Sequence, residues 1–127
     1  MKAMAYPEDA RPTPFKRYCK ALKLQADADL LATYRRLHAP GAAWPEITQG
    51  MREIGILDME IYLLDNQAFM IMDTVPDFDH DQAMQTLATK PRQAEWEALV
   101  APFQQTTPDA TAAEKWRLLE RIYKLGA

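Results

Sequence analysis

Two apolar stretches, Ile56 to Leu64 and Gln67 to Val75, follow one another with only Asp65-Asn66 between them. A connection this short returns the chain antiparallel to itself, because parallel strands need a crossover of a dozen residues or more. Asp and Asn tolerate the positive φ that such a turn demands, so the pattern predicts a tight hairpin.

The segments around the hairpin read as its partners. Tyr18, Lys20, Leu22 and Leu24 alternate with Cys19, Ala21 and Lys23, a period that suits a strand beginning at Arg17. Asp27 is placed to cap a helix whose Leu30, Leu31, Tyr34, Leu37 and His38 share a face, and Ala39-Pro40-Gly41 stops it. Pro45 opens a second helix with Ile47, Met51 and Ile54 inward and Gly55 just past its end. Beyond the hairpin, one helix is expected from about His80 to the break at Pro91. Another is expected from Arg92 to Phe103, with Trp96, Leu99, Val100 and Phe103 inward.

The tail reads two ways. Thr111-Ala112-Ala113-Glu114 is a capping box followed by Trp116, Leu119 and Tyr123 at helical spacing, whereas Leu118 to Leu125 also alternates as a strand would. A last strand would complete the order βαββαβ, a ferredoxin-like unit of the α+β class, and consistency with the other elements favours it. Residues 1–16, with Pro7, Pro12 and Pro14, read as a flexible arm; residues 17–127 read as one domain.

Composition narrows the function. The chain of 127 residues suits a single domain with a core of its own. A net charge of −3 supplies no basic stripe for phosphates, so no nucleic-acid partner is expected. Cys19 is the one cysteine and the histidines number two, which speaks against both a disulfide and a structural zinc site. No apolar run is long enough for a membrane span and no apolar signal core marks the first residues, so a cytoplasmic location is expected. No glycine-rich phosphate loop, nucleophile elbow or metal triad is present, and neither cofactor nor metal is expected.

What remains is modest. Tyr34 and His38, four apart, stack on one helical face, where an imidazole can give and take a proton near neutrality. Taken alone, the pair reads first as the rim of a core and only second as acid–base machinery. Trp44, Trp96 and Trp116 are ordinary core material or an apolar platform for a sugar ring, and the seven methionines suggest adaptable packing. Asp58 and Glu60 share a strand face, as a solvated surface or as a carboxylate pair. His80, among Asp77, Asp79 and Asp81, reads as a solvated helix start.

Tyr34-Arg35-Arg36-Leu37-His38 followed by Trp44-Pro45-Glu46-Ile47 resembles the helix-one motif of the L-rhamnose mutarotase family. Arg17-Tyr18-Cys19, Gly55 to Tyr62, Phe69 to Met72, Glu95-Trp96-Glu97 and Glu114-Lys115-Trp116 are similar to its L-fucose branch. The resemblance implies a ferredoxin-like dimeric α/β barrel, a homodimer, that interconverts the anomers of a 6-deoxy-L-hexose monosaccharide by acid–base ring opening without a cofactor. It places His38 as proton donor and Tyr34 and Trp96 as sugar contacts. Met59 stands where the rhamnose enzymes have a sugar-contacting tyrosine, and Glu95 where they have the first tryptophan of a pair. These two departures make L-fucose the expected substrate. An L-rhamnose mutarotase with a relaxed pocket and a non-catalytic small-ligand binder are the rival readings.

Overall fold

The computed structural model describes residues 3–6, 14–105 and 115–126. Its elements run β1 (Lys16–Lys23), α1 (Ala28–Leu37), α2 (Pro45–Glu53), β2 (Ile56–Leu64), β3 (Gln67–Thr74), α3 (His80–Leu87), α4 (Gln93–Val100), a 3₁₀ turn over Ala101–Phe103, and β4 (Arg117–Leu118). The four strands form one sheet in the order β2-β3-β1-β4, with every neighbouring pair antiparallel.

The hairpin of β2 and β3 sets the register. Asp65 takes the left-handed conformation, with φ of 53°. Asn66 ties the turn to the end of β1: its backbone carbonyl accepts from the Leu24 amide at 2.7 Å and its side-chain amide donates to the Leu24 carbonyl at 3.0 Å. Met59 then faces Met72 and Ile61 faces Met70 across the ladder. On the far side of β3, Lys20 pairs with Met70 and Leu22 with Ala68. Since opposed residues share a face, Lys20, Leu22, Met59, Ile61, Ala68, Met70 and Met72 all project from one side of the sheet.

The helices cover that side. Leu22, Leu24 and Ala68 pack with Tyr34 of α1 and Val100 of α4. Ile56, Met70 and Met72 pack with Phe78 and, from α2 and its end, Met51 and Ile54. The other face carries polar partnerships instead. Arg17 grips the buried Asp73 carboxylate through two hydrogen bonds of 2.8 and 3.2 Å, and Tyr62 donates to Glu60 at 3.0 Å. Tyr6, from the segment expected to be a loose arm, lies edge-on to Tyr62 with ring centroids 5.3 Å apart.

Local chemistry explains most boundaries. Asp27 caps α1 by accepting from the Leu30 amide at 3.0 Å, and Asp79 caps α3 by accepting from Gln82 at 3.2 Å. Pro45 opens α2. Three expectations need correction. The helix expected through Phe103 ends at Val100 and tightens into the 3₁₀ turn, because Pro102 has no amide to continue an α ladder. The helix expected to run to Pro91 stops at Leu87, with Ala88 as its cap. The tail does form a strand, but Arg117 and Leu118 are its whole length. Leu118 pairs with Lys20 and Arg117 with Ala21, and Leu119 adds one bond to the Cys19 carbonyl at 2.8 Å. Thereafter Ile122, Tyr123 and Leu125 stand exposed. The capping box at Thr111–Glu114 lies outside the described residues.

Gly55 joins α2 to β2 at φ +104°, and a Cβ there would sit 2.9 Å from Val75 Cγ2. Backbone strain and the clash act together, so Gly55→Ala should cost about 2–3 kcal/mol. Urea unfolding measures it, and a Gly55→Ala variant as stable as the parent would contradict this account of the junction.

Candidate active site

Between the covered sheet face and the helices lies a cavity of about 180 Å³, the scale of a small metabolite. Its floor is the sheet: Lys20 from β1, Met59 and Ile61 from β2, Met70 and Met72 from β3. Its wall comes from the helices, with Tyr34 and His38 at the end of α1, Trp44 ahead of α2, and Gln93, Trp96 and Glu97 on α4.

His38 is the C-cap of α1, where its amide bonds back to the Arg35 carbonyl at 3.2 Å. Its Nδ1 lies 2.8 Å from the carbonyl oxygen of Tyr34. A carbonyl can only accept, so Nδ1 carries the hydrogen, and the neutral ring keeps Nε2 as its proton-accepting nitrogen. The ring packs 4.4 Å from Tyr34 and edge-on to Trp96 at 5.4 Å. Trp96 in turn meets Trp44 at 5.4 Å. Behind Trp44, the Arg92 guanidinium stacks at 4.0 Å and reaches Glu95 at 3.3 Å and Glu46 at 3.6 Å. Tyr34 is 3% exposed, and burial together with the nearby Glu97 carboxylate pushes its hydroxyl above the usual range, so it stays a neutral phenol.

The turn of α4 decides which side chains reach the cavity. Gln93, Trp96 and Glu97 follow the i, i+3, i+4 spacing of an inward stripe, continued by buried Val100. Glu97 accepts from Gln93 Nε2 at 2.9 Å and lies 3.8 Å from the buried Lys115. Glu95 is off the stripe. Its side chain is 63% exposed, bound to Arg92 and absent from the cavity lining, so it offers no acceptor to a ligand there. Leu99, expected inward, is exposed for the same reason of helical phase.

His38, Tyr34, Trp96 and Met59, the four residues singled out from sequence, therefore line one cavity. His80 does not; it bonds Asp81 at 2.9 Å and packs against Tyr18 at 5.2 Å. Reasoning from sequence missed the polar groups: Lys20, Gln93, Glu97 and Gln104 all line the cavity. Gln104 is set there by an isolated bridge to Leu24 at the end of β1. The signal for Lys20 was its parity, a lysine alternating with Leu22 and Leu24 on an inward face. Among the described residues no three His, Cys, Asp or Glu side chains cluster as a metal site would require, and no helix is long and apolar enough to cross a membrane.

An α+β sheet covered on one face by helices thus holds an oriented imidazole in an aromatic and thioether pocket. The L-rhamnose mutarotase family model matches residues 17–125, and the chain belongs to this family of isomerases. An L-fucose mutarotase of Xanthomonas campestris is 36% identical over 110 residues, covering 87% of this chain and 88% of its own. An L-rhamnose mutarotase of Acidiphilium cryptum is 29% identical over 107 residues, covering 83% and 95%. The crystal structure of an L-rhamnose mutarotase from Formosa agariphila shares the fold, with a TM-score of 0.60 at 18% identity over 87% of this chain and 98% of that one.

Lys20 carries a measurable cost. It is 2% exposed, and burial lowers its pKa from 10.5 to about 8 against the opposing pull of Asp81. Below pH 8 both folded and unfolded chains hold the proton, and the fold bears the full cost of a buried ammonium, about 3 kcal/mol. Between about 8 and 10.5 the folded chain releases the proton first, so this cost fades as pH rises. Lys20→Met should accordingly be up to about 3 kcal/mol more stable at pH 7, with the advantage shrinking by pH 10. Denaturant unfolding at the two pH values checks this; a destabilised variant at pH 7 would refute it.

Proposed function

We propose that the protein interconverts the α and β anomers of a 6-deoxy-L-hexose, with L-fucose preferred over L-rhamnose. The observation that carries this reading is His38, its Nδ1 held by the Tyr34 carbonyl at 2.8 Å so that Nε2 is left to exchange protons in the cavity. Protonated His38 gives its Nε2 proton to the ring oxygen while the anomeric hydroxyl passes its own proton to solvent water. The C1–O5 bond breaks and the aldehyde turns. The freed ring hydroxyl then attacks the other face of C1 and returns its proton to His38, while water returns a proton to the carbonyl oxygen to restore the anomeric hydroxyl. Acid–base catalysis of this kind contributes typically about 10²–10⁴-fold, and orientation against the Trp44–Trp96 wall adds to it.

The sugar preference rests on the floor. Met59 lies with Ile61, Met70 and Met72, an apolar surface fit for a sugar's methyl group and C–H face. The family resemblance puts Met59 where the rhamnose branch has a phenol, and the greater identity to the fucose enzyme points the same way. Glu95, outside the cavity, has no direct part in the choice.

Anomer exchange read by NMR on a panel of sugars is the test. His38→Ala should lose about 10²-fold or more with the fold intact, and Tyr34→Phe should lose less. Met59→Tyr should shift the L-fucose to L-rhamnose ratio toward rhamnose. No catalysed exchange by the parent protein with any sugar would favour a binding module; faster L-rhamnose exchange would reverse the preference.

We also propose a ferredoxin-like homodimer. The order β2-β3-β1-β4 is that of a βαββαβ sheet, and the exposed Leu118, Leu119, Ile122, Tyr123 and Leu125 form an apolar tail that a second copy would cover. Light scattering should report about twice the 14.5 kDa chain mass, and removal of residues 119–127 should yield monomers or aggregates. A dimer unaffected by the deletion would show that the tail is not its seam.

A further inference from the structure

Three buried polar groups on this cavity lack adequate mates. Lys20 is 2% exposed, and its Nζ has Met84 Sδ, 3.9 Å away, as its hydrogen-bond partner. A thioether is a weak acceptor and an ammonium has three N–H donors, so donor capacity is left over. Gln93 and Gln104 are 4% and 3% exposed, and the Oε1 of each is buried with no donor among the described residues. Buried groups of this kind are ordinarily satisfied, and an unpaired one is costly to a fold. All three line the same cavity as His38, Lys20 from the sheet floor and the two glutamines from α4 and the segment after it.

The orphans are complementary in kind. One is a donor without an adequate acceptor; two are acceptors without donors. A hydroxyl is the group that answers both, since its oxygen accepts while its hydrogen is donated. A carboxylate ligand would satisfy Lys20 but leave both amide oxygens unpaired, and it would meet Glu97 on the same wall and the field of Asp81 behind Lys20. Neutral and polyhydroxylated is therefore the ligand class that fits.

We propose that Lys20 donates to a secondary ring hydroxyl of the sugar, with Gln93 and Gln104 accepting from the sugar's hydroxyls, so that these residues read the configuration of the ring while His38 handles its opening. The identity of the ligand as a sugar rests on the mutarotase reading; the contact to Lys20 is separately testable. A site built to hydrogen-bond a hydroxyl discriminates strongly against a ligand that lacks or misplaces it, because the protein group is then left unpaired.

The experiment compares the parent protein with Lys20→Met on L-fucose and its 2-, 3- and 4-deoxy analogues, by NMR anomer exchange and by the ¹³Cε resonance of Lys20 in ¹³C-lysine-labelled protein, assigned by its loss in the variant. Exchange by Lys20→Met should fall by about tenfold or more without loss of stability. One deoxy sugar should be exchanged equally slowly by both proteins, and L-fucose should move the Lys20 resonance. Parent-level exchange by Lys20→Met, or losses that multiply for all three deoxy sugars, would overturn the contact while leaving the mutarotase reading in place. A shifted Lys20 resonance with no exchange by the parent protein would sustain the contact and remove the mutarotase reading. Neither shift nor exchange would remove both.

Discussion

The register of the β2–β3 ladder is the constraint on which the site depends. With Asp65-Asn66 as the turn, Met59 faces Met72 and Ile61 faces Met70, and β1 then aligns Lys20 with Met70. A slip of β2 by one residue would send Met59 and Ile61 to the opposite face and bring Asp58, Glu60 and Tyr62 under the helices. The Asn66–Leu24 bonds guard against it by joining the turn to the next strand. The apolar floor is thus a consequence of turn chemistry at the far end of the hairpin, not of any interaction within the cavity.

The elements that were legible in the amino-acid sequence are those specified locally. The hairpin turn, the Asp27 cap and the Pro45 start each depend on residues within a few positions of one another. Helical phase was legible in part. Tyr34 and His38 share a face by spacing alone, yet the resemblance placed Glu95 beside Trp96 in the site. One residue along a helix rotates a side chain by about 100°, and Glu95 lies outside. Less legible were features that need the whole fold. Gln104 reaches the cavity through a bridge to Leu24, far earlier in the chain, and no local pattern marks it. The tail's two possible conformations are resolved by β1, whose free edge pairs Arg117 and Leu118 and takes one more bond from the Leu119 amide.

Division of labour within the cavity follows from where each group originates. The imidazole is oriented by the backbone of its own helix, through the Tyr34 carbonyl, and so depends little on what covers the sheet. Apart from Lys20, the floor is thioether and aliphatic, soft enough to accept a ring face, and the polar contacts to hydroxyls are left to Lys20 and the glutamines of the wall. Chemistry and fit are carried by different elements, and one can be altered with the other preserved.

Arg92 gives this separation a further meaning. It holds a left-handed backbone conformation, φ 64°, at the start of α4, and its guanidinium lies over Trp44 while Glu46 and Glu95 steady it from the surface. The aromatic wall is consequently propped from outside by a solvent-reachable ion-pair cluster. Drift in those exposed carboxylates, of the sort surfaces absorb over evolutionary time, would tilt an indole of the cavity wall, giving the pocket an adjustment screw on the protein's exterior.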